Sequence, residues 1–96
     1  MPELPQLDPL LHSQLRLAVM SILISGESAD FTYLKEKTGA TAGNLSVQLD
    51  KLSEAGYIKV VKGYEGKRPK TTCSLTKIGI QAFESYIKNL QQYINP

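Results

Sequence analysis

Apolar residues recur at Leu11, Leu15, Ala18, Val19, Ile22 and Leu23, a spacing of three and four that predicts a helix with one buried face. Asp8 is expected to cap its start with Pro9 at a first helical position, Ser13 to recap the main body after a break at His12, and Gly26 to stop it. "FTYLKEKTG" then predicts a short helix capped by Thr32, built on Leu34 and the Tyr33/Lys37 turn, and ended by Gly39. "ATAGNLSVQLDKLSEAGY" restarts at once: Thr41 caps, Leu45, Leu49 and Leu52 form the core stripe, and Gly56 terminates.

Only Gly39, Ala40 and Thr41 separate these two helices, so they must meet at a steep angle, the arrangement of a helix-turn-helix. After Gly56 the period changes. "YIKVV" and "TTCSL" are β-branched, strand-like runs. Between them lies "KGYEGKRPK", predicted as a long basic loop punctuated by Gly63, Gly66 and Pro69. "TKIGIQAFESYIKNLQQYIN" predicts a last helix over 76–95 with Thr76 as N-cap. The expectation is one domain spanning 1–96, mainly α with a β-hairpin.

That last helix is too apolar for one job. Phe83, Ile87, Leu90 and Ile94 form a stripe, and Ala82, Tyr86 and Tyr93 widen it to an arc of about 160°, beyond the roughly 100° needed to dock on one core. Surplus apolar area calls for a partner, so Phe83, Tyr86, Ile87, Leu90, Tyr93 and Ile94 are assigned to a homodimer contact. The competing arrangement packs the whole arc on its own small domain.

Composition narrows the classes. A chain of 96 residues makes one domain that buries roughly 60–65 % of its unfolded surface, leaving no room for a second catalytic domain. No apolar run approaches the roughly 20 residues of a membrane span, and "MPELPQLDPL" lacks the basic start and apolar stretch of a signal peptide, so a cytoplasmic protein is expected. One cysteine and one histidine exclude an internal disulfide and a thiolate-pair metal site; no metal or cofactor is expected. Cys73 fits a small core residue better than a redox switch. His12 has no nucleophile or carboxylate placed around it by any motif. With no phosphate-cradling glycine loop, nucleophile elbow or paired carboxylates, an enzyme is not expected.

Charge changes the picture most. The net +2 conceals six basic residues against Glu65 alone from Lys59 to Lys77, a local +5, so the remainder carries −3. Such polarity suits a domain that presents one face to a polyanion. With the leucines of the second helix of the pair facing inward, Asn44, Val47 and Lys51 point out, and Thr41, Ala42, Ser46 and Gln48 are within reach. Small residues let a helix enter a major groove, Asn and Gln can pair with adenine edges, and Thr41, Ser46 and the helix N-terminal amides suit phosphate. That outer face alone is equally consistent with plain solvated surface. Lys62, Tyr64, Lys67, Arg68 and Lys70 tip the balance towards nucleic acid: Arg68 is held extended before Pro69, shaped for a minor groove, with lysines for phosphates. Neutralising about four phosphates would give a slope of log K against log salt near −3.6.

The order helix, helix, turn, helix, two-stranded wing, helix resembles a winged helix-turn-helix transcriptional regulator, similar to the MarR and ArsR groups. The likeness is carried by "DFTYLKEKTGATAGNLSVQLDKLSEAGYIKV", with its "LSEAGYI" ending, and by "GYEGKRPKTTCSLTKIG". It implies promoter binding as a homodimer, the helix from Thr41 to Ala55 in the major groove and the wing beside it. This chain departs from the metal-sensing members in having no ligand cluster, and from larger MarR proteins in lacking an extra N-terminal helix, so whether an effector is bound stays open. A winged helix can also serve as a protein-interaction module, its wing reading an acidic partner.

Overall fold

The computed structural model describes residues 3–26 and 28–95; Met1, Pro2, Glu27 and Pro96, parts of the expected 1–96 span, lie outside the described residues. Among the described residues seven elements follow one another: α1 (Gln14–Ser25), β1 (Ala29–Asp30), α2 (Phe31–Thr38), α3 (Ala42–Glu54), β2 (Ile58–Glu65), β3 (Arg68–Leu75) and α4 (Lys77–Ile94). The strands form one antiparallel sheet in the order β1-β3-β2.

Local chemistry explains most boundaries. Asp8 holds the turn before α1 by accepting from the Leu10 amide at 2.9 Å, and Ser13 takes the N-cap position, though its hydroxyl makes no capping bond. Gly39 ends α2 in the left-handed region at φ 72°, where a side chain would be strained. Thr41 starts α3 by accepting from the Asn44 amide. One cap differs from expectation: α2 is capped by Asp30, which accepts from the Tyr33 amide at 2.8 Å, and not by Thr32. Pairing of Asp30 with Thr72 holds it extended where the helix begins, so its carboxylate reaches the amide first.

The hairpin also differs. No long loop exists, because β2 and β3 stay paired until Glu65 meets Arg68, leaving Gly66 and Lys67 as a two-residue turn. Gly66 at φ 64° followed by a residue with negative φ is the type II′ pattern, whose twist matches the flanking strands. Pro69 is tolerated because β1 covers only Thr72 and Cys73, so that edge of β3 is unpaired at Pro69.

The core draws Leu11, Val19, Met20 and Leu23 from the first helical region, Leu34 from α2, the Leu45/Leu49/Leu52 stripe from α3, Ile58 and Cys73 from the sheet, and Tyr86 from α4. Burial pushes the Cys73 thiol up to about 11, so it stays protonated and inert at neutral pH. At the junction of α3, β2 and α4, the Thr76 hydroxyl accepts from the Gly79 amide and donates to the Gly56 carbonyl, while the Thr76 amide donates to the Tyr57 carbonyl at 3.1 Å.

Tyr57 closes the other side of this junction by donating its hydroxyl to Asp8 Oδ2. That bond, then partial burial, then the charge of Asp8 push the phenol up to about 12. An unfolded tyrosine releases its proton near pH 10. The folded form therefore enjoys this stabilisation in full below about pH 10 and loses it as pH climbs to about 12. Tyr57→Phe should melt lower than wild type at neutral pH, by roughly 1–2 kcal/mol for a hydrogen bond to a carboxylate. Thermal melts should show that gap closing above about pH 10; a gap that stays constant to about pH 12 contradicts this coupling.

Candidate nucleic-acid interface

The outer side of α3 is built from small and polar residues because its inner side is committed to leucine. Thr41, Ala42, Asn44, Ser46, Val47 and Lys51 are all exposed, Val47 by 50 %. Gln48 is placed differently: it is half-buried, accepts from an Arg16 guanidinium nitrogen through Oε1, and donates from Nε2 to Asn44 Oδ1 at 3.0 Å. It turns along the helix towards α1 and is not a free reader of bases. Arg16 was invisible to sequence reasoning, because nothing in the chain's periodicity puts it beside a residue 32 positions away.

Strand pairing decides where each wing residue points. Side chains opposite one another share a face, and successive residues alternate. Lys62 and Tyr64 therefore share the face of Ile58 and Val60, whereas Arg68, Lys70 and Glu65 occupy the other, with Lys67 at the turn. Lys62 and Thr71 line a cleft with Ser46, Leu49 and Asp50 of α3, so the first part of the wing and the outer helix border one depression. Asp50, not singled out by its sequence, sets a negative end to that cleft. Tyr64 stands out at 77 % exposure.

Lys70 is answered by Glu65 at 2.7 Å, the single salt bridge among the described residues, and this carboxylate raises the Lys70 pKa. An exposed pair of this kind is worth little, so a phosphate could take the place of Glu65. Cations on both faces and at the tip make the wing a blade suited to entering a groove between two phosphate rows, more than a plate lying on one.

On α4, Phe83, Ile87 and Leu90 are half-buried against the core, while Tyr93 and Ile94 are exposed by 44 % and 69 %. Tyr86 corrects the sequence-based expectation. It is a core residue, buried within its own chain, with its hydroxyl 3.0 Å from His12 Nδ1. The arc thus divides: its middle packs on the core, and its distal end lies outside the core. Tyr93 donates to the Pro5 carbonyl, which lays the N-terminal segment along the helix. Among the described residues no group of three potential metal ligands occurs, and no helix is long and apolar enough to cross a membrane.

These features define a DNA-binding module: a helix-turn-helix whose second helix is exposed, flanked by a basic hairpin. Residues 15–94 match the winged helix DNA-binding domain family, and the chain belongs to that family. It is 37 % identical over 81 residues to the uncharacterized protein MJ0432 of Methanocaldococcus jannaschii, covering 84 % of this chain and 88 % of that one. Its fold is similar to a transcriptional regulator homologue from Pyrococcus horikoshii, with a TM-score of 0.83, 26 % identity, and coverage of 90 % of this chain and 85 % of that one. A MarR-family regulator from Silicibacter pomeroyi shares the fold at a TM-score of 0.68 and 18 % identity, over 86 % of this chain and 55 % of its own. The family and fold are those of transcriptional regulators, not of an enzyme.

Proposed function

We propose that this protein is a cytoplasmic, sequence-specific regulator that binds duplex DNA as a homodimer, with α3 in the major groove and the wing on the minor groove and backbone. The observation that carries the reading is the joining, across one cleft, of an exposed helix face whose first half is small and uncharged and a wing with cations on both faces. Thr41, Ala42, Asn44, Ser46, Val47 and Lys51 would meet the major groove, and Lys62, Tyr64, Lys67, Arg68 and Lys70 the flanking backbone and minor groove. Leu90, Tyr93 and Ile94, with Phe83 and Ile87 at the margin, would pair two copies along their final helices. Pairing would set two α3 helices about one DNA turn apart.

Selection of genomic duplex fragments at physiological salt tests this. It should recover a pseudo-palindromic site with half-sites about 10 base pairs apart. Leu90→Glu with Ile94→Glu should give a monomer by sedimentation and lose most of the recovered affinity, roughly 100-fold, because each half-site must then be bound alone. No retained sequences, with binding only to an acidic protein, would replace this reading with that of a protein-interaction wing.

A further inference from the structure

Arg16 lies on α1, behind the outer face of α3, and its guanidinium is engaged twice. Nε donates to the Leu10 carbonyl at 2.5 Å and an Nη donates to Gln48 Oε1. Gln48 Nε2 in turn donates to Asn44 Oδ1 at 3.0 Å. The three side chains form a relay of hydrogen bonds from a half-buried arginine to an exposed asparagine.

The direction of that relay follows from chemistry alone. A guanidinium donates and cannot accept, so the Gln48 atom that meets it must be oxygen. The amide nitrogen of Gln48 then faces Asn44, and the Asn44 atom receiving it must again be oxygen. Without the arginine, both amides could turn over, since their two ends are nearly the same size. With it, Asn44 is left presenting both N–H donors outward, and Gln48 keeps one N–H to spare.

We propose that Arg16 is a specificity-determining positioning residue: by fixing both amides it makes the middle of α3 a donor surface, which selects guanine at the base pair reached by Asn44. Guanine offers two acceptors, N7 and O6, on its major-groove edge. Adenine needs an acceptor opposite its amino group; the Asn44 oxygen is held by Gln48 along the helix and has only its second lone pair left, whereas both N–H donors are free for guanine. This inference rests on the DNA-binding reading above.

The test is competitive binding of four duplexes that carry each base pair in turn at the Asn44 position of the selected site. Wild type should prefer guanine over adenine by roughly tenfold, the discrimination of one good base contact. Arg16→Met should reduce that preference to within about twofold while other positions keep theirs, as expected for a group that orients a reader and makes no base contact of its own. Gln48→Glu should do more. The new carboxylate still satisfies Arg16 but has no N–H for Asn44, so the asparagine should turn its nitrogen inward and its oxygen outward. The preference should then move to a base with an amino donor, cytosine or adenine.

Retention of guanine by Gln48→Glu overturns the proposal. So does an Arg16→Met variant that weakens every duplex equally and flattens the salt dependence, which is the behaviour of a phosphate contact. Should Arg16→Met fail to fold in thermal melts, Gln48→Glu carries the decision. A wild type that binds none of the four duplexes at physiological salt defeats the DNA-binding reading itself, and one that binds all four equally defeats its sequence specificity; both results are distinct from the other two.

Discussion

Gly79→Ala is expected to unfold the domain at temperatures where wild type is stable, although it adds one methyl group to a helix that should welcome alanine. A Cβ at Gly79 would stand 2.0 Å from the Tyr57 carbonyl oxygen and 2.8 Å from its carbon. Those atoms are backbone, held by the bond from the Thr76 amide at 3.1 Å and by the Tyr57 amide on Leu52 at 2.9 Å. The clash cannot be relieved by a rotamer. Either α4 lifts off the end of β2, losing the Thr76 bonds and the seat of Tyr86, or the α3–β2 turn distorts. Overpacking that moves backbone costs about 3 kcal/mol or more. For a domain of this size that lowers Tm by on the order of 15 °C. A melt within a few degrees of wild type would mean that α4 docks by some other contact.

Gly79 also shows how legible the chain was. Thr76 was readable as the cap of the last helix, and it does cap α4. The packing reason for the glycine was not readable, because Tyr57 lies more than 20 residues away. The same division holds elsewhere. The α3 boundaries, Thr41 and the leucine stripe are local and periodic, and they stand as the spacing predicts. β1 escaped notice because two residues carry no alternation and exist as a strand only through pairing with Thr72 and Cys73. The paired length of the hairpin escaped too: lysine, glycine and proline read as loop, while the register of β2 against β3 decides otherwise. At the candidate site, exposure of the α3 face followed from helix geometry, but the inward turn of Gln48 depends on Arg16, and the burial of Tyr86 on a core drawn from distant segments.

The wing should carry the largest functional effect. Lys67 and Arg68 sit at the turn and the first position of β3, both exposed and neither engaged by Glu65, which pairs with Lys70. Replacing both by alanine leaves the core untouched, so melting should change by no more than about 0.5 kcal/mol. Binding should change greatly. Four wing cations on each of two protomers would neutralise about eight phosphates, for a slope near −7.2, and removing Lys67 and Arg68 from both takes away about four of them, so the slope should flatten by about 3.6. Affinity at physiological salt should fall by on the order of 100-fold on the selected site and on unrelated duplex alike, since these residues supply attraction and not base reading.

Whether the α3 and wing surface binds duplex DNA is decided by one titration: fluorescence anisotropy of the selected duplex across a salt series, wild type beside Lys67→Ala/Arg68→Ala. Wild type should show a steep slope with tight binding retained at physiological salt, and the variant a slope shallower by about 3.6. Identical slopes for the two proteins, or wild-type binding that vanishes at physiological salt, would contradict DNA binding by this surface and leave the wing without nucleic acid as its partner.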